Sequence, residues 1–229
     1  MIVNIFCDAS IDTNKKIACA GSCLITQHGK IINGPFMKHV ILNNATNNSA
    51  EILAIWLGIC EAIKLRDQSP GTNIVFRLFS DSKISLYGLR DWIQSWIMNA
   101  KDGILISSSG MPVMNQQLFI STYNMIVKSN LYISLYHQRG HVKERVSMDK
   151  AYSHFLRANR CTPESLGLDI ETISNYNNMI DKSTRDTLTK YILSGEINPA
   201  NTFIYGFDPF ESFIIPGSIY KYNRYIGKK

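Results

Sequence analysis

The sequence has few charged residues, few cysteines and no long apolar run. Its five cysteines, Cys7, Cys19, Cys23, Cys60 and Cys161, form no CxxC pair, which argues against a zinc site or a disulfide framework. Charged residues make up 18% of the chain and hydrophobic residues 45%, which is typical of a folded domain and not of a disordered chain. No stretch of about 18 apolar residues is present, and the N-terminus lacks the basic and apolar regions of a signal peptide. We therefore expect a soluble cytoplasmic protein with no membrane partner.

The charge balance of the chain is basic. The formal net charge is +6 at pH 7, and lysines and arginines gain free energy from phosphates by releasing condensed counterions. A polyanion such as nucleic acid is thus a candidate partner. Charge alone is weak evidence, because many basic proteins bind no nucleic acid.

The periodicity of apolar residues predicts an α/β fold with a mixed sheet covered by helices on both sides. The first three strands follow one another through short turns, which favours an antiparallel meander. We predict a catalytic domain at 1–160 and a C-terminal extension of unknown role at 161–229. The predicted elements are strands at 2–7, 17–26 and 31–42, a helix at 49–65, a strand at 74–79, helices at 84–98 and 115–128, a strand at 131–137, and helices at 145–160 and 183–195.

Four carboxylates occupy positions that suit a site. Asp8 and Asp81 each end a predicted strand, where open sheets present ligand-binding groups, and two carboxylates there need a nearby cation. Glu51 and Asp149 each lie on a helical stripe of small and apolar residues, so we expect both to face the sheet. A buried carboxylate is unfavourable unless it is paired or bound to a metal.

A structural explanation exists for each of these residues taken alone. An Asp at a strand end is commonly a turn residue, and a Glu in a first helical turn commonly favours the helix dipole. Their combined placement favours a metal site. Oxygen ligands suit Mg²⁺ or Mn²⁺ better than zinc, and two such ions about 3.5 to 4 Å apart can promote phosphodiester displacement.

Four short motifs and one aspartate carry a family resemblance. They are IFCDAS at 5–10, TNNSAE at 46–51, FSDS at 79–82, RGH at 139–141, and Asp149 after them. Over roughly residues 1–160 the chain resembles the ribonuclease H type 1 family. The resemblance implies a five-stranded mixed sheet whose first three strands are antiparallel, flanked by helices. It also implies hydrolysis of the RNA strand of RNA/DNA hybrids by two Mg²⁺ ions, with Mn²⁺ as a substitute, leaving 3′-hydroxyl and 5′-phosphate ends.

The resemblance also implies roles for individual residues. The metal ligands would be Asp8, Glu51, Asp81 and Asp149, and Asp149 would also help to place the attacking water. His141 matches a mobile histidine of the family that assists proton transfer and product departure; the alternative is an exposed loop histidine.

Several residues match the family's substrate-binding positions. Thr46, Asn47 and Asn48 match a segment that contacts the RNA strand, where a contact to the 2′-hydroxyl distinguishes RNA from DNA. The alternative for this segment is helix capping, and both roles are compatible.

Three further residues are weaker substrate-binding candidates. Ser10 and Ser82 follow the metal aspartates, as in the family. Trp92, four residues before Trp96, resembles a tryptophan near the substrate-binding handle, and its alternative is core packing.

The chain departs from the family pattern near the expected substrate surface. The segment after Trp96 carries one lysine, Lys101, where many relatives have a strongly basic protrusion, and the turn after Asp8 is not glycine-rich. Both departures concern substrate affinity and neither involves the carboxylates. A nuclease acting on DNA or structured RNA is an alternative, because relatives in the wider superfamily cut these substrates. A non-catalytic nucleic-acid-binding module is a further one, although such a module would be expected to lack at least one of the four carboxylates.

The end of the extension combines aromatic and basic residues. The stretch 212–229 contains no acidic residue, so it could stack on and neutralise a nucleic-acid strand. The alternative is an apolar segment that packs on the catalytic domain or on another subunit.

Overall fold

The structure, a computed structural model, describes residues 1–27, 38–196 and 202–205. This part of the chain consists of strands and helices, as the periodicity of apolar residues predicts. In chain order they are β1 (Ile2–Asp12), β2 (Ile17–Thr26), β3 (Lys38–Asn43), α1 (Asn47–Asp67), β4 (Val75–Ser80), α2 (Lys83–Tyr87), a π-helical turn (Gly88–Trp92), α3 (Ile93–Met98), α4 (Gln116–Ser129), β5 (Ile133–His137), α5 (Met148–Asn159), a 3₁₀ turn (Glu164–Leu166), α6 (Ile170–Ser194) and β6 (Thr202–Tyr205).

The strands form one mixed sheet in the order β5-β4-β1-β2-β3-β6. Strands β1, β2 and β3 are antiparallel to their neighbours in the meander, whereas β4 runs parallel to β1 and β5 parallel to β4. This arrangement confirms the predicted five-stranded mixed sheet. Strand β6 belongs to the extension and adds a sixth strand parallel to β3, which the sequence patterns did not predict.

The two faces of the sheet are covered by different helices. Alternate residues of a strand point to opposite faces, so Ile5 and Cys7 belong to the larger apolar cluster with α1, and Phe6 belongs to the other face. There Phe6 stacks on Phe79 with ring centroids 4.9 Å apart. Helix α6 covers this second face and contributes Ile173 and Ile180 to its cluster, together with Phe155 of α5.

Two predicted boundaries are wrong for identifiable reasons. Strand β1 continues through Asp8 to Asp12 instead of ending at residue 7, because polar and apolar residues go on alternating at 8–12. Helix α6 begins at Ile170 rather than near 183, since polar residues in its first half, including Ser174 and Asn177, are buried against the sheet. Because that half of the helix is polar in composition, the sequence patterns did not predict it. The first part of the predicted third strand, residues 31–37, lies outside the described residues.

The predicted orientation of Asp149 is also wrong. The side chain of Ser147 caps α5 by accepting a hydrogen bond from the backbone of Lys150. With that start, the buried stripe of the helix runs through Ala151 and Phe155, one turn apart. The side chain of Asp149 is therefore exposed. Within the described residues, no helix combines the length and the apolar character needed to cross a membrane.

Candidate active site

The parallel pairing of β1 and β4 places two aspartates side by side. Phe6 lies opposite Phe79 in this pairing, and Asp8 and Asp81 each follow two residues later. Residues two apart share a face of a strand, so both aspartates extend the face that carries the stacked phenylalanines. The sheet register therefore brings the two predicted carboxylates together.

Helix α1 brings the third carboxylate to the same place. Its first turn is fixed by a capping box, in which the Thr46 side chain accepts from the Ser49 backbone and the Ser49 side chain accepts from the Thr46 backbone. Gly58 allows the helix to approach β1 closely, since a Cβ there would lie 2.7 Å from Cys7 Sγ. The ligand oxygens of Asp8, Glu51 and Asp81 all lie within 4.8 Å of one another.

Burial and mutual repulsion shape the electrostatics of these carboxylates. Burial is the largest cause that raises the pKa of Asp8, and the charge of Asp81 adds to it. Burial, followed by the charges of Asp8 and Asp81, raises the pKa of Glu51. Burial also raises the pKa of Asp81, although His141 and a hydrogen bond from Asn177 oppose that rise. Like charges held this closely in a buried site favour either protons or a cation.

The hydrogen-bonding state of Glu51 fits a cation. Glu51 is 9% exposed, and its Oε2 is buried without a hydrogen-bond partner. A buried acceptor is normally satisfied, and an exception calls for a missing ion or water. Three carboxylates with a free acceptor match the oxygen ligands that Mg²⁺ and Mn²⁺ prefer. The residues present therefore fit a divalent metal.

Comparison with known proteins identifies the family to which this chain belongs. The sequence matches the RNase H family over residues 1–151 of the chain. The chain belongs to the RNase H family. It is a ribonuclease H enzyme, and its general activity is that of a nuclease. No curated protein matches the chain.

Several solved structures are similar to this RNase H chain at low sequence identity. LC11-RNase H1, isolated from compost by a metagenomic approach, is 12% identical with a TM-score of 0.50, over 83% of this chain and 97% of its own. RNase H1 from Halobacterium salinarum is 18% identical with a TM-score of 0.42, over 72% and 98%. The protease-reverse transcriptase of prototype foamy virus is 18% identical with a TM-score of 0.48, over 80% and 20%. The likeness to the compost enzyme shows the fold.

Gly140 of the RGH motif lies beside the RNase H carboxylate cluster, and so does Asn177 of α6, which the sequence patterns did not indicate. A Cβ on Gly140 would lie 2.0 Å from Asp81 Oδ2, so a larger residue there would displace this carboxylate or the backbone beside it. Asn177 of α6 hydrogen-bonds Asp81 through its side chain and accepts from the Gln138 amide. Asn177 lies outside the family match, and its place in a polar stretch gave no signal.

A basic pocket opens next to Asp81. Its volume is about 380 Å³, and its lining includes Lys83, Arg139, His154 and Arg157. Such a concentration of cations attracts phosphate groups. Arg139 belongs to the RGH motif, whereas Lys83, His154 and Arg157 were not predicted as site residues, because the pocket is assembled from three separate segments of the chain.

Two histidines connect this pocket to the backbone of Asp81. His137 Nε2 lies 3.0 Å from the Asp81 carbonyl oxygen, and His137 Nδ1 lies 2.7 Å from His154 Nε2. A carbonyl only accepts, so His137 donates from Nε2 and, when neutral, accepts at Nδ1 from His154. Burial, followed by the charge of His154, lowers the pKa of His137 to about 4. His137 is therefore neutral near pH 7.

The other two predicted catalytic residues lie apart from the three-carboxylate cluster. Asp149 is exposed in the first turn of α5 and is not part of the group within 4.8 Å. Its assignment as a metal ligand stays a prediction. His141 is about half exposed, and its Nδ1 lies 3.5 Å from Glu144 Oε2. Its charge nevertheless lowers the pKa of Asp81, so it acts electrostatically on the site.

The predicted RNA-contacting segment lies at the start of α1. Thr46 and Asn47 are exposed and Asn48 is half-buried. Thr46 caps the helix, so the structural role considered for this segment is present. The role of the three side chains in substrate binding stays a prediction.

The weaker substrate candidates differ in their surroundings. The Ser10 hydroxyl lies 3.0 Å from the Thr184 hydroxyl of α6, and the Ser82 hydroxyl donates to Ser85 at 2.8 Å. Trp92 is 37% exposed, whereas Trp96 is buried. The core-packing alternative therefore applies to Trp96, whereas the Trp92 side chain is partly exposed at the protein surface.

Proposed function

We propose that this RNase H chain hydrolyses the RNA strand of RNA/DNA hybrids with two divalent ions, Mg²⁺ or in its place Mn²⁺, and leaves 3′-hydroxyl and 5′-phosphate ends. The observation that carries the proposal is the buried group of Asp8, Glu51 and Asp81, with oxygens within 4.8 Å and Glu51 Oε2 unpartnered. Membership of the RNase H family supports the reaction type.

The chain's residues hold and orient the reacting groups. Asp8, Glu51 and Asp81 bind the ions, which when bound activate a water and stabilise the charge that develops on the phosphate. The Ala9 backbone donates to Asp8 Oδ1 at 2.7 Å and orients that carboxylate. Asn177 and Gly140 fix Asp81 on its other side. Fixed ligands keep the ions in place during the displacement.

Substrate binding in this proposal relies on charge and on the start of α1. The cations of the basic pocket, Lys83, Arg139 and Arg157, line one side of Asp81 and bind substrate phosphates next to the scissile bond. Thr46, Asn47 and Asn48 contact the RNA strand, where a 2′-hydroxyl contact gives preference for RNA. In this proposal His141 assists proton transfer and product departure, and its electrostatic effect on Asp81 supports that role.

The experiment compares cleavage of five labelled substrates in Mg²⁺. The substrates are an RNA/DNA hybrid, duplex DNA, duplex RNA and the two single strands, and we expect cleavage of the hybrid RNA strand alone. Asp81→Asn should abolish cleavage and retain the fold by circular dichroism. The matched control is Asp102→Asn, an exposed loop aspartate with φ of 48°, a conformation that asparagine also tolerates.

The products and the alternatives are read from the same gels. Ligation or labelling of the cut ends should show a 3′-hydroxyl and a 5′-phosphate. Preferential cleavage of DNA or duplex RNA would replace hybrid hydrolysis by the broader nuclease activity. Binding of the hybrid without cleavage in either metal would contradict the proposal and favour a binding module.

A further inference from the structure

One face of α6 lies against the sheet beside Asp8. Asn177, Asp181 and Thr184 follow at helical spacing and so share this face. Asp8 pairs with Gly21 in the antiparallel β1–β2 ladder. A Cβ on Gly21 would lie 2.6 Å from Thr184 Cγ2, so the helix touches the sheet at the position next to Asp8.

Two hydrogen-bonded residues on this face flank Asp181. On one side Thr184 contacts Ser10, with 3.0 Å between the hydroxyl oxygens. On the other side, the Asn177 side chain forms a hydrogen bond with Asp81. Asp181 therefore lies on α6 between two residues whose side chains contact Ser10 and Asp81. Its side chain is 17% exposed.

The charge of Asp181 reaches the whole carboxylate cluster. Burial is the first cause that raises the pKa values of Asp8, Glu51 and Asp81, and Asp181 is a further cause for each of the three. No other residue outside the cluster raises the pKa of all three among the described residues. Position and charge thus associate Asp181 with the cluster.

The cations that act on this cluster are poorly placed to neutralise it. Arg185 pairs with Asp181, but its side chain is 56% exposed. His141 is 46% exposed. Exposed ion pairs are screened by solvent and contribute little. Among the described residues, no buried cationic side chain thus neutralises the three carboxylates, and Glu51 Oε2 stays buried without a partner.

We propose that Asp181, from the C-terminal extension, is the fourth carboxylate of the metal site. This inference rests on the metal site of the proposed function. Asp181 is not within the group of oxygens that lie inside 4.8 Å; its position on α6, between Asn177 and Thr184, assigns it to the side of the site that this helix covers. The fourth acidic residue would then come from outside residues 1–151, the part that matches the family.

The test measures metal binding directly, on the full chain and without nucleic acid. Mn²⁺ is titrated calorimetrically into the wild type, Asp181→Asn and Asp186→Asn. We expect Asp181→Asn to weaken Mn²⁺ binding about 10-fold to 100-fold, the range seen when groups that support a metal site are removed. Asp186→Asn makes the same charge change on the exposed face of α6 and should bind as the wild type does.

A second readout separates a metal ligand from a structural residue. In EDTA, Asp181→Asn should melt at a higher temperature than the wild type, because it removes one like charge from the cluster. If Asp181 served only to pair with Arg185, its loss would lower the melting temperature, and Arg185→Gln would weaken Mn²⁺ binding equally; either result overturns the inference. Asp181→Glu, which keeps the charge, should recover most of the affinity and serves if the Asn variant does not fold.

Asp149→Asn decides between the two candidates for the fourth position. Wild-type affinity in Asp181→Asn combined with a large loss in Asp149→Asn would overturn the inference and assign the position to Asp149. The proposed function is tested separately by cleavage. A wild-type chain that binds Mn²⁺ through Asp181 and cuts no hybrid would contradict the activity and leave the metal ligand in place.

Discussion

Gly140 lies beside the carboxylate of Asp81, and a Cβ on this glycine would come within 2.0 Å of Oδ2. Contacts below 3.0 Å force one partner to move. Since Asp81 is also bonded to Asn177, its carboxylate cannot rotate away without losing that hydrogen bond. The segment after β5 therefore packs closely against the carboxylate of Asp81.

Gly140→Ala should therefore impair the site more than the fold. We expect a loss of at least about 10-fold in Mn²⁺ affinity, the scale of effects from displaced metal ligands, and a comparable fall in hybrid cleavage. Calorimetry and initial rates measure both. Gly110→Ala is the control, since its site is open and its φ of 78° gives only a strain of about 1–2 kcal/mol. Wild-type metal affinity in Gly140→Ala would contradict the fit.

The metal-free protein should lose stability as the pH rises. Asp8 and Glu51 have folded-state pKa values raised above their ordinary 3.8 and 4.5 by burial and by neighbouring carboxylates. The stabilisation from their neutral forms is complete below the ordinary values and disappears as the pH rises through the raised ones. In EDTA the melting temperature should fall from about pH 4.5 upward.

Glu51→Gln tests the cause of this pH dependence. The variant should melt above the wild type in EDTA at neutral pH and equal it near pH 4, and a difference of 1 kcal/mol corresponds to about 2–4 °C. Saturating Mg²⁺ should reverse the order, because only the wild type keeps all three carboxylate ligands. A lower melting temperature for Glu51→Gln in EDTA at neutral pH would show that the carboxylate stabilises the apo fold.

The basic pocket predicts a salt-dependent binding defect. Replacing Lys83 and Arg157 by alanine should raise KM for the hybrid, with a smaller change in kcat, because both cations line the pocket beside Asp81. Each lost phosphate contact should reduce the slope of log affinity against log salt by about 0.9, the value for duplex DNA. Lys128→Ala, an exposed lysine of α4, is the control. An unchanged salt slope in the double variant would argue that substrate passes elsewhere.

Thr46 and Asn47 allow capping to be separated from substrate contact. Thr46→Ala should lower the free energy of unfolding by about 1 kcal/mol, since the capping hydrogen bond is lost, and Thr46→Ser should restore it. Asn47→Ala should leave unfolding by urea unchanged and raise KM for the hybrid. If Asn47→Ala cleaves the hybrid with wild-type KM, the exposed amide does not contact the RNA strand.

Local sequence patterns were sufficient to predict the sheet and the positions of three carboxylates. Strand alternation and parallel register determine where Asp8 and Asp81 meet, and a capped helix determines where Glu51 reaches them. These relations depend on a few residues that are close in sequence or paired in the sheet. They were predictable for that reason.

The other parts of the site depend on contacts between distant segments. Helix periodicity did not show that Asp149 would be exposed, because the stripe is set by the cap at Ser147. Nor could it show Asn177 and Asp181 near the cluster. Their helix looked polar in sequence, and two of its buried polar residues, Thr184 and Asn177, have side-chain partners in Ser10 and Asp81, which are distant in sequence.

The cluster behind the stacked rings of Phe6 and Phe79 crosses the end of the family match. Ile173 and Ile180 of α6 belong to it, although the match stops at residue 151. A gene fragment cut at that point would expose the aromatic face to water, and such a patch promotes self-association. A fragment for recombinant expression should therefore extend through α6, so that it contains the whole apolar cluster.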